Sequence, residues 1–154
     1  MTSSDATALT TAEFWDEYYT KSGDGQEPVH EWLRSFAELE EFLRPALLDV
    51  PGLSGQDSPL IVHLGSGDSV RTSIPTTTTS LFFPRSKADT VLHQTFPADL
   101  ASLGYQRQLC VDFSTTVVDL MKDRHSSIPG IEWRLLDLRD MDSVASGSVD
   151  VAFD

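Results

Sequence analysis

Leu60–Ser69, LIVHLGSGDS, is the stretch of sequence that decides the fold. Its first half, Leu60–Leu64, is a short apolar run of the kind that forms a buried strand. Its second half opens with Gly65 and Gly67, which have no Cβ and therefore let the backbone turn sharply and approach a ligand closely. A buried strand that runs into a glycine turn predicts the first βαβ unit of an α/β protein.

Three later apolar runs predict further strands, and each is followed by an acidic residue. They are Gln108–Val111 ahead of Asp112, Ile131–Leu135 ahead of Asp137, and Val149–Phe153 ahead of Asp154. Ser114 is suited to cap a helix after the second strand, and Thr95–Gly104 has the pattern of a helix before that strand. Strands that alternate with helices predict a parallel sheet.

The N-terminal part of the chain predicts two helices. Phe14, Trp15, Tyr18 and Tyr19 recur at helical spacing, and a longer helix is predicted over Val29–Leu48. Pro45 should disturb the last turn of that longer helix, because proline has no N–H to donate. Residues 1–11 are small and polar and are expected to form a flexible N-terminus, so the folded domain should span residues 12–154.

The segment Val70–Gln94 interrupts this pattern. It contains four consecutive threonines and two prolines, has no strand or helix period, and is basic in an otherwise acidic chain. Nucleotide-binding folds place the acid that holds the ribose about 20 residues beyond the glycine turn. Gly67 and Asp112 are 45 residues apart, and removing the 25 residues of the segment restores that spacing. We therefore predict a translated intron, with a tolerated insertion as the alternative.

Composition and charge exclude several classes of protein. The chain has 154 residues, 40% of them hydrophobic, and a formal charge of −13, which does not suit binding to nucleic acid or to an anionic membrane. The single cysteine, Cys110, allows no internal disulfide. The four histidines share no ligand spacing, so no metal site is expected. These features predict a soluble protein of the cytoplasm.

The strand ends carry chemistry that suits a nucleoside. In an open parallel sheet, ligands bind beyond the carboxyl ends of the strands. Asp112 can accept hydrogen bonds from both hydroxyls of a ribose, and Asp137 can accept one from the exocyclic amine of an adenine. Together with the turn at Gly65 and Gly67, these acids predict a nucleoside-binding site.

A longer series of motifs runs in order along residues 13–69 and 95–154. The motifs are EFWDEYY (13–19), EW (31–32), LGSGDS (64–69), LGY (103–105), VDFS (111–114), Val117-Val118 with Met121, WRLLD (133–137) and VDVAFD (149–154). In this order they resemble the amino-terminal half of a class I S-adenosylmethionine-dependent methyltransferase. The resemblance is to the eukaryotic methyltransferase-like 13 group, which includes lysine methyltransferases of translation elongation factor 1A and of citrate synthase.

The resemblance implies a Rossmann-like fold, S-adenosylmethionine as cofactor, and a role for each motif. Gly65 and Gly67, with Ser66 between them, would border the methionine moiety. The remaining cofactor contacts would be Asp112 on the ribose hydroxyls, Phe113 beside the adenine, Asp137 on the adenine amine, and Trp15 and Trp32 closing the pocket. Asp154 corresponds to the acid that opens the family motif after the fourth strand. No residue stands out as a catalytic base.

The family pattern continues beyond the fourth strand, and this chain ends at Asp154. We therefore expect a domain truncated after strand 4, interrupted after the glycine loop, and weakly active or inactive. The activity implied is methylation of a protein lysine or N-terminal amine, on a translation factor or another protein. The alternatives are a non-catalytic fragment or interaction module and, from the glycine turn alone, a nicotinamide-dependent oxidoreductase. The last would prefer GxGxxG, whereas Asp-Ser-Val follows Gly67. The oligomeric state stays open.

Overall fold

The structure is a computed structural model that describes residues 9–22, 36–68 and 95–154. Its centre is a parallel sheet of four strands, β1 Ile61–Leu64, β2 Gln108–Asp112, β3 Ile131–Leu135 and β4 Val151–Phe153, in the order β3-β2-β1-β4. The described residues also form four α-helices, α1 Ala12–Ser22, α2 Phe36–Leu43, α3 Phe96–Ser102 and α4 Thr115–Arg124. The predicted α/β fold is confirmed.

The strand register brings three strand ends to one edge of the sheet. Leu64 at the end of β1 lies opposite Val111 in β2, and His63 lies opposite Phe153 in β4. Because all the strands are parallel, the glycine turn after β1 lies between the end of β2 and the end of β4. The fold therefore places Asp112 and Asp154 on the two sides of the turn.

Two strands begin later than predicted, and β2 extends one residue further than predicted, to Asp112. β4 begins at Val151 rather than Val149, and β1 begins at Ile61 rather than Leu60. The reason lies in Asp150, whose Oδ2 accepts a hydrogen bond from the amide of Leu60 at 2.7 Å. The amides of Asp150 and Val151 both donate to the carbonyl of Leu60. The Asp150 side chain thus takes the place of the first regular backbone hydrogen bond between β1 and β4. Regular pairing of the two strands begins after it.

Side-chain caps set the starts of α3 and α4, as the sequence predicts. The hydroxyl of Thr95 accepts from the amide of Ala98, and that of Ser114 accepts from the amide of Val117. Gly104 follows α3 with a φ of +97°, a conformation that glycine adopts without a steric penalty. The helices on each side of β2 are therefore fixed locally by their own sequences.

The helix predicted over Val29–Leu48 is only partly covered, because residues 29–35 lie outside the described ranges. From Phe36 the chain forms α2, and Arg44–Leu48 continue it as a π-helical turn in which the amide of Asp49 donates to the carbonyl of Arg44. The predicted disturbance at Pro45 is confirmed. A wider turn accommodates the proline and still directs Leu47 into the core.

The core has three parts around the sheet. Buried side chains of β2, β3 and α4 pack with Tyr19 of α1, and a second group joins the π-helical turn, α3 and β1. The third part of the core consists of Val62, Leu109 and Val111 of β1 and β2. Residues of the segment that connects β3 to β4, including Leu136 and Val144, pack against it. Cys110 is completely buried and packs in the core as a small apolar residue.

Several predictions fall on residues that the structure does not describe. These are the insertion Val70–Gln94, the aromatic residue Trp32 and most of the flexible N-terminus, residues 1–8. Among the described residues, no helix is long and apolar enough to cross a membrane.

Candidate functional site

The glycine turn after β1 is a tight loop that is hydrogen-bonded to β2. Gly65 and Gly67 have φ values of +58° and +54°, which residues with a Cβ rarely adopt. Between them, the amide of Ser66 donates to the carbonyl of Val111, and the Ser66 hydroxyl donates to the carbonyl of His63. A Cβ added at Gly65 would meet no atom within 4 Å. This side of the turn is therefore open to a ligand.

Asp112 joins the glycine turn to the start of α4. Its Oδ2 accepts from the amide of Gly67 at 3.0 Å, and its Oδ1 accepts from the amide of Ser114 at 2.9 Å. The side chain is buried, and burial raises its pKa above the ordinary value even though backbone hydrogen bonds, first that of Ser114, act against the rise. Each carboxylate oxygen has a second lone pair, so Asp112 can still accept from two further donors.

Helix α1 covers the same turn with aromatic side chains. Tyr19 is buried against α4 and β3, and its hydroxyl would lie 3.1 Å from a Cβ placed on Gly67. Burial, followed by the charges of Asp112 and Asp68, raises the pKa of the Tyr19 hydroxyl, so it stays protonated as a donor. Trp15 is half-buried beside Tyr18 and Tyr19, and its indole N–H donates to the carbonyl of Leu9.

The remaining predicted residues lie after the ends of β2, β3 and β4. Phe113 is half-buried directly after Asp112. Asp137 is half-buried and accepts hydrogen bonds from both the guanidinium and the backbone amide of Arg139, which lower the pKa of Asp137 to about 2. Asp154 is exposed after β4. The structure thus brings Gly65, Ser66, Gly67 and Asp112 together, and in this arrangement Asp137 is engaged by Arg139.

Two further acids belong to this site, and neither was predicted from the acids that follow the strands. Asp68 is buried at the end of the glycine turn. Asp16 on α1 reaches across to the start of α4, where it contacts Ser114 and Thr116. Both lie inside motifs that carried the family resemblance, EFWDEYY and LGSGDS. The position of Asp16 could not be inferred from spacing, because the contact between Asp16 and α4 spans about a hundred residues.

Two buried histidines face polar side chains of the core. Nε2 of His63 faces Oε1 of Gln108 at 2.8 Å, and Nε2 of His125 faces the hydroxyl of Thr95 at 3.2 Å. Trp133 is buried and stacks on His125. Over residues 9–22, 36–68 and 95–154, no three His, Cys, Asp or Glu side chains are grouped to hold a metal ion.

Comparison with known proteins finds a distant relative. The chain is 26% identical over 142 residues to EEF1A lysine methyltransferase 4 of Mus musculus. The alignment takes in 92% of this chain but 42% of the relative, so the chain spans less than half the length of that protein. No protein-family model matches the sequence. The distant similarity and the parallel sheet agree with a Rossmann-like methyltransferase fold.

Proposed function

We propose that this chain carries the cofactor-binding part of an S-adenosylmethionine-dependent protein lysine methyltransferase. The observation that carries the proposal is the hydrogen bond from the Gly67 amide to Asp112, which joins a positive-φ glycine turn to a buried acid at the next strand end. This is the arrangement in which an open α/β sheet holds a nucleoside. The distant similarity to a lysine methyltransferase supports the choice of methyl transfer over hydride transfer.

The residues at this edge of the sheet fit the cofactor. The open space beside Gly65 lets the methionine part approach the backbone without meeting a side chain. The free lone pairs of Asp112 suit the two ribose hydroxyls, and Phe113 next to it offers a ring for the adenine. We propose that Asp137 accepts a hydrogen bond from the adenine amine, which replaces one of the hydrogen bonds that Arg139 donates to it. Trp15, Trp32 and Asp154 are proposed to complete the pocket.

When bound, the cofactor supplies an activated methyl group on a sulfonium, so the protein needs mainly to position it. Asp112 orients the ribose and thereby the sulfonium relative to the acceptor. Tyr19 and Trp15 exclude water from one side of the glycine turn. The acidic residues near the turn, Asp16, Asp68 and Asp112, also favour a cation there over an anion.

The acceptor is proposed to be a lysine side chain, or a terminal amine, on a protein such as a translation factor. The name of the mouse relative supports a protein substrate. A formal charge of −13 supports a basic partner, since opposite charges accelerate encounter. A cytoplasmic location is proposed with it.

Replacement of Asp112 tests the proposed site. We expect Asp112→Ala to weaken binding of S-adenosylhomocysteine by about tenfold or more, because the ribose hydroxyls lose their acceptor and the Gly67 amide loses its partner. Calorimetry with the whole chain measures this. Asp119→Ala is the matched control, since Asp119 is an exposed acid on α4 paired only with Lys122 among its described neighbours.

Equal affinity of the wild type and Asp112→Ala would remove Asp112 from the site. If NAD binds and S-adenosylhomocysteine does not, the oxidoreductase alternative replaces the proposal. If neither binds, the chain is a non-catalytic interaction module. Binding without methyl transfer to any protein acceptor would limit the chain to cofactor binding.

A further inference from the structure

Asp16 connects α1 to the start of α4. Its Oδ1 accepts from the Ser114 hydroxyl at 2.5 Å and from the Thr116 amide at 3.1 Å. The carboxylate therefore caps a helix that begins about a hundred residues later in the chain. The amino end of a helix carries unpaired N–H groups and a partial positive charge, so a carboxylate is stabilised there.

The contact continues to the glycine turn through Ser114. The Ser114 amide donates to Oδ1 of Asp112, and Oδ2 of Asp112 accepts from Gly67. Asp16, Ser114, Asp112 and Gly67 thus form one unbroken series of hydrogen bonds. Ser114 also accepts from Val117 and is completely buried, so its rotamer is fixed at both ends.

The next turn of α1 contacts the same loop. Tyr19 follows Asp16 by three residues and lies on the same face of the helix. Its hydroxyl is against Gly67, and its ring is buried with Val117, Val118 and Met121 of α4. Polar contact at Asp16 and apolar contact at Tyr19 hold α1 in one position relative to the turn.

We propose that Asp16 is a positioning residue for the cofactor: by holding Ser114, it fixes both α1 and the Asp112 carboxylate against the glycine turn. The inference rests on the proposed function, because it assigns Asp16 an effect on S-adenosylmethionine binding. Asp16 acts through Ser114 and does not itself contact the reacting atoms. A merely structural cap would lower the stability of the fold and leave the affinity of the folded protein unchanged.

The hydrogen bonds to Asp16 agree with a fixed carboxylate. Burial on its own would raise the pKa of Asp16, yet the donors at Ser114 and Thr116 hold that pKa below its ordinary value. Neighbouring Glu17, by contrast, is exposed and pairs only with Lys21 on its own helix among the described residues. Glu17 therefore provides the matched control.

The test compares the whole chain with Asp16→Ala, Asp16→Asn and Glu17→Ala. Two measurements are made at a temperature where every variant is folded: affinity for S-adenosylhomocysteine by calorimetry, and exchange of the Gly67 and Thr116 amides without ligand. We expect Asp16→Ala to lose about tenfold in affinity and to exchange both amides about tenfold faster. Asp16→Asn keeps an acceptor oxygen and should recover most of both effects, and Glu17→Ala should match the wild type.

Wild-type affinity in Asp16→Ala, or faster exchange at Thr116 alone, would overturn the inference. If the wild type does not bind S-adenosylhomocysteine, the proposed function fails, and the exchange at Gly67 still decides whether Asp16 holds the turn. Should Asp16→Ala not fold, Ser114→Ala breaks the same series from its middle. Reduced affinity in that variant supports the inference, and unchanged affinity overturns it.

Discussion

At the scale of single residues, the two glycines of the turn have different tasks. Both have positive φ, but Gly65 borders open space, whereas Gly67 lies under the hydroxyl of Tyr19 and donates to Asp112. A ligand can therefore approach the backbone at Gly65, whereas Gly67 joins the turn to α1 through Tyr19 and to β2 through Asp112. The sequence predicted that both positions need glycine, because a turn of this kind demands it, but not how their surroundings differ.

We predict that Gly65→Ala and Gly67→Ala separate these tasks. Gly65→Ala should cost only the strain of its φ, about 1 kcal/mol, and should abolish cofactor binding, because the new methyl group occupies the open space. Gly67→Ala should cost more stability, because its Cβ also presses on Tyr19. Urea unfolding and calorimetry measure the two effects. Normal cofactor affinity in Gly65→Ala would contradict the assignment of the ligand to that side of the turn.

At the scale of elements, local sequence accounts for each helix and strand but not for how α1 docks. Ser114, Thr95 and Gly104 mark the ends of α3 and α4 by short-range chemistry, and short apolar runs mark β1 and β2. The start of β4 was predicted two residues early, because the bond between Asp150 and Leu60 is made across the sheet. Asp16 shows the same limit, since its partners are remote in the sequence.

β1 also carries a buried ionisable side chain, His63, between α3 and β4. Its ring packs against Phe96 and Phe153. The amide nitrogen of Gln108 donates to the carbonyls of Pro97 and Tyr105, so Oε1 of Gln108 is an acceptor and His63 Nε2 carries the proton. Burial lowers the pKa of His63 to about 4, although the hydrogen bond that His63 donates to Gln108 acts in the opposite direction, and burial likewise lowers the pKa of His125 to about 4.

We predict that the protein loses stability between pH 7 and pH 5. The unfolded chain protonates histidine near its ordinary pKa of about 6.5, and the folded chain does not until about 4, so acid favours the unfolded state in this range. His63 alone should account for about 2 kcal/mol. Urea unfolding at both values of pH measures the loss. His63→Gln keeps a donor for Gln108 but does not titrate in this range, so the loss of stability between pH 7 and pH 5 should shrink. An unchanged loss in that variant would refute the role of His63.

At the scale of the whole molecule, the parallel order β3-β2-β1-β4 brings together the polar groups that the sequence places after separate strands. The sequence predicted a parallel sheet and the residues at its strand ends, and the structure supplies the order of the strands. The sequence could not predict that Asp137 would be held by Arg139, because that pair depends on the local path of the chain after β3. The central claim is that the edge formed by Gly65, Gly67 and Asp112 binds S-adenosylmethionine.

The most direct test of that claim is a titration of the ¹⁵N-labelled chain with S-adenosylhomocysteine, followed by amide chemical shifts, with NAD as the comparison ligand. We expect the amides of Gly65, Ser66, Gly67 and Phe113 to shift in a saturable way, and we expect NAD to leave them unchanged. Shifts that are absent at millimolar ligand, or that cluster away from the carboxyl ends of β1 and β2, would contradict the claim.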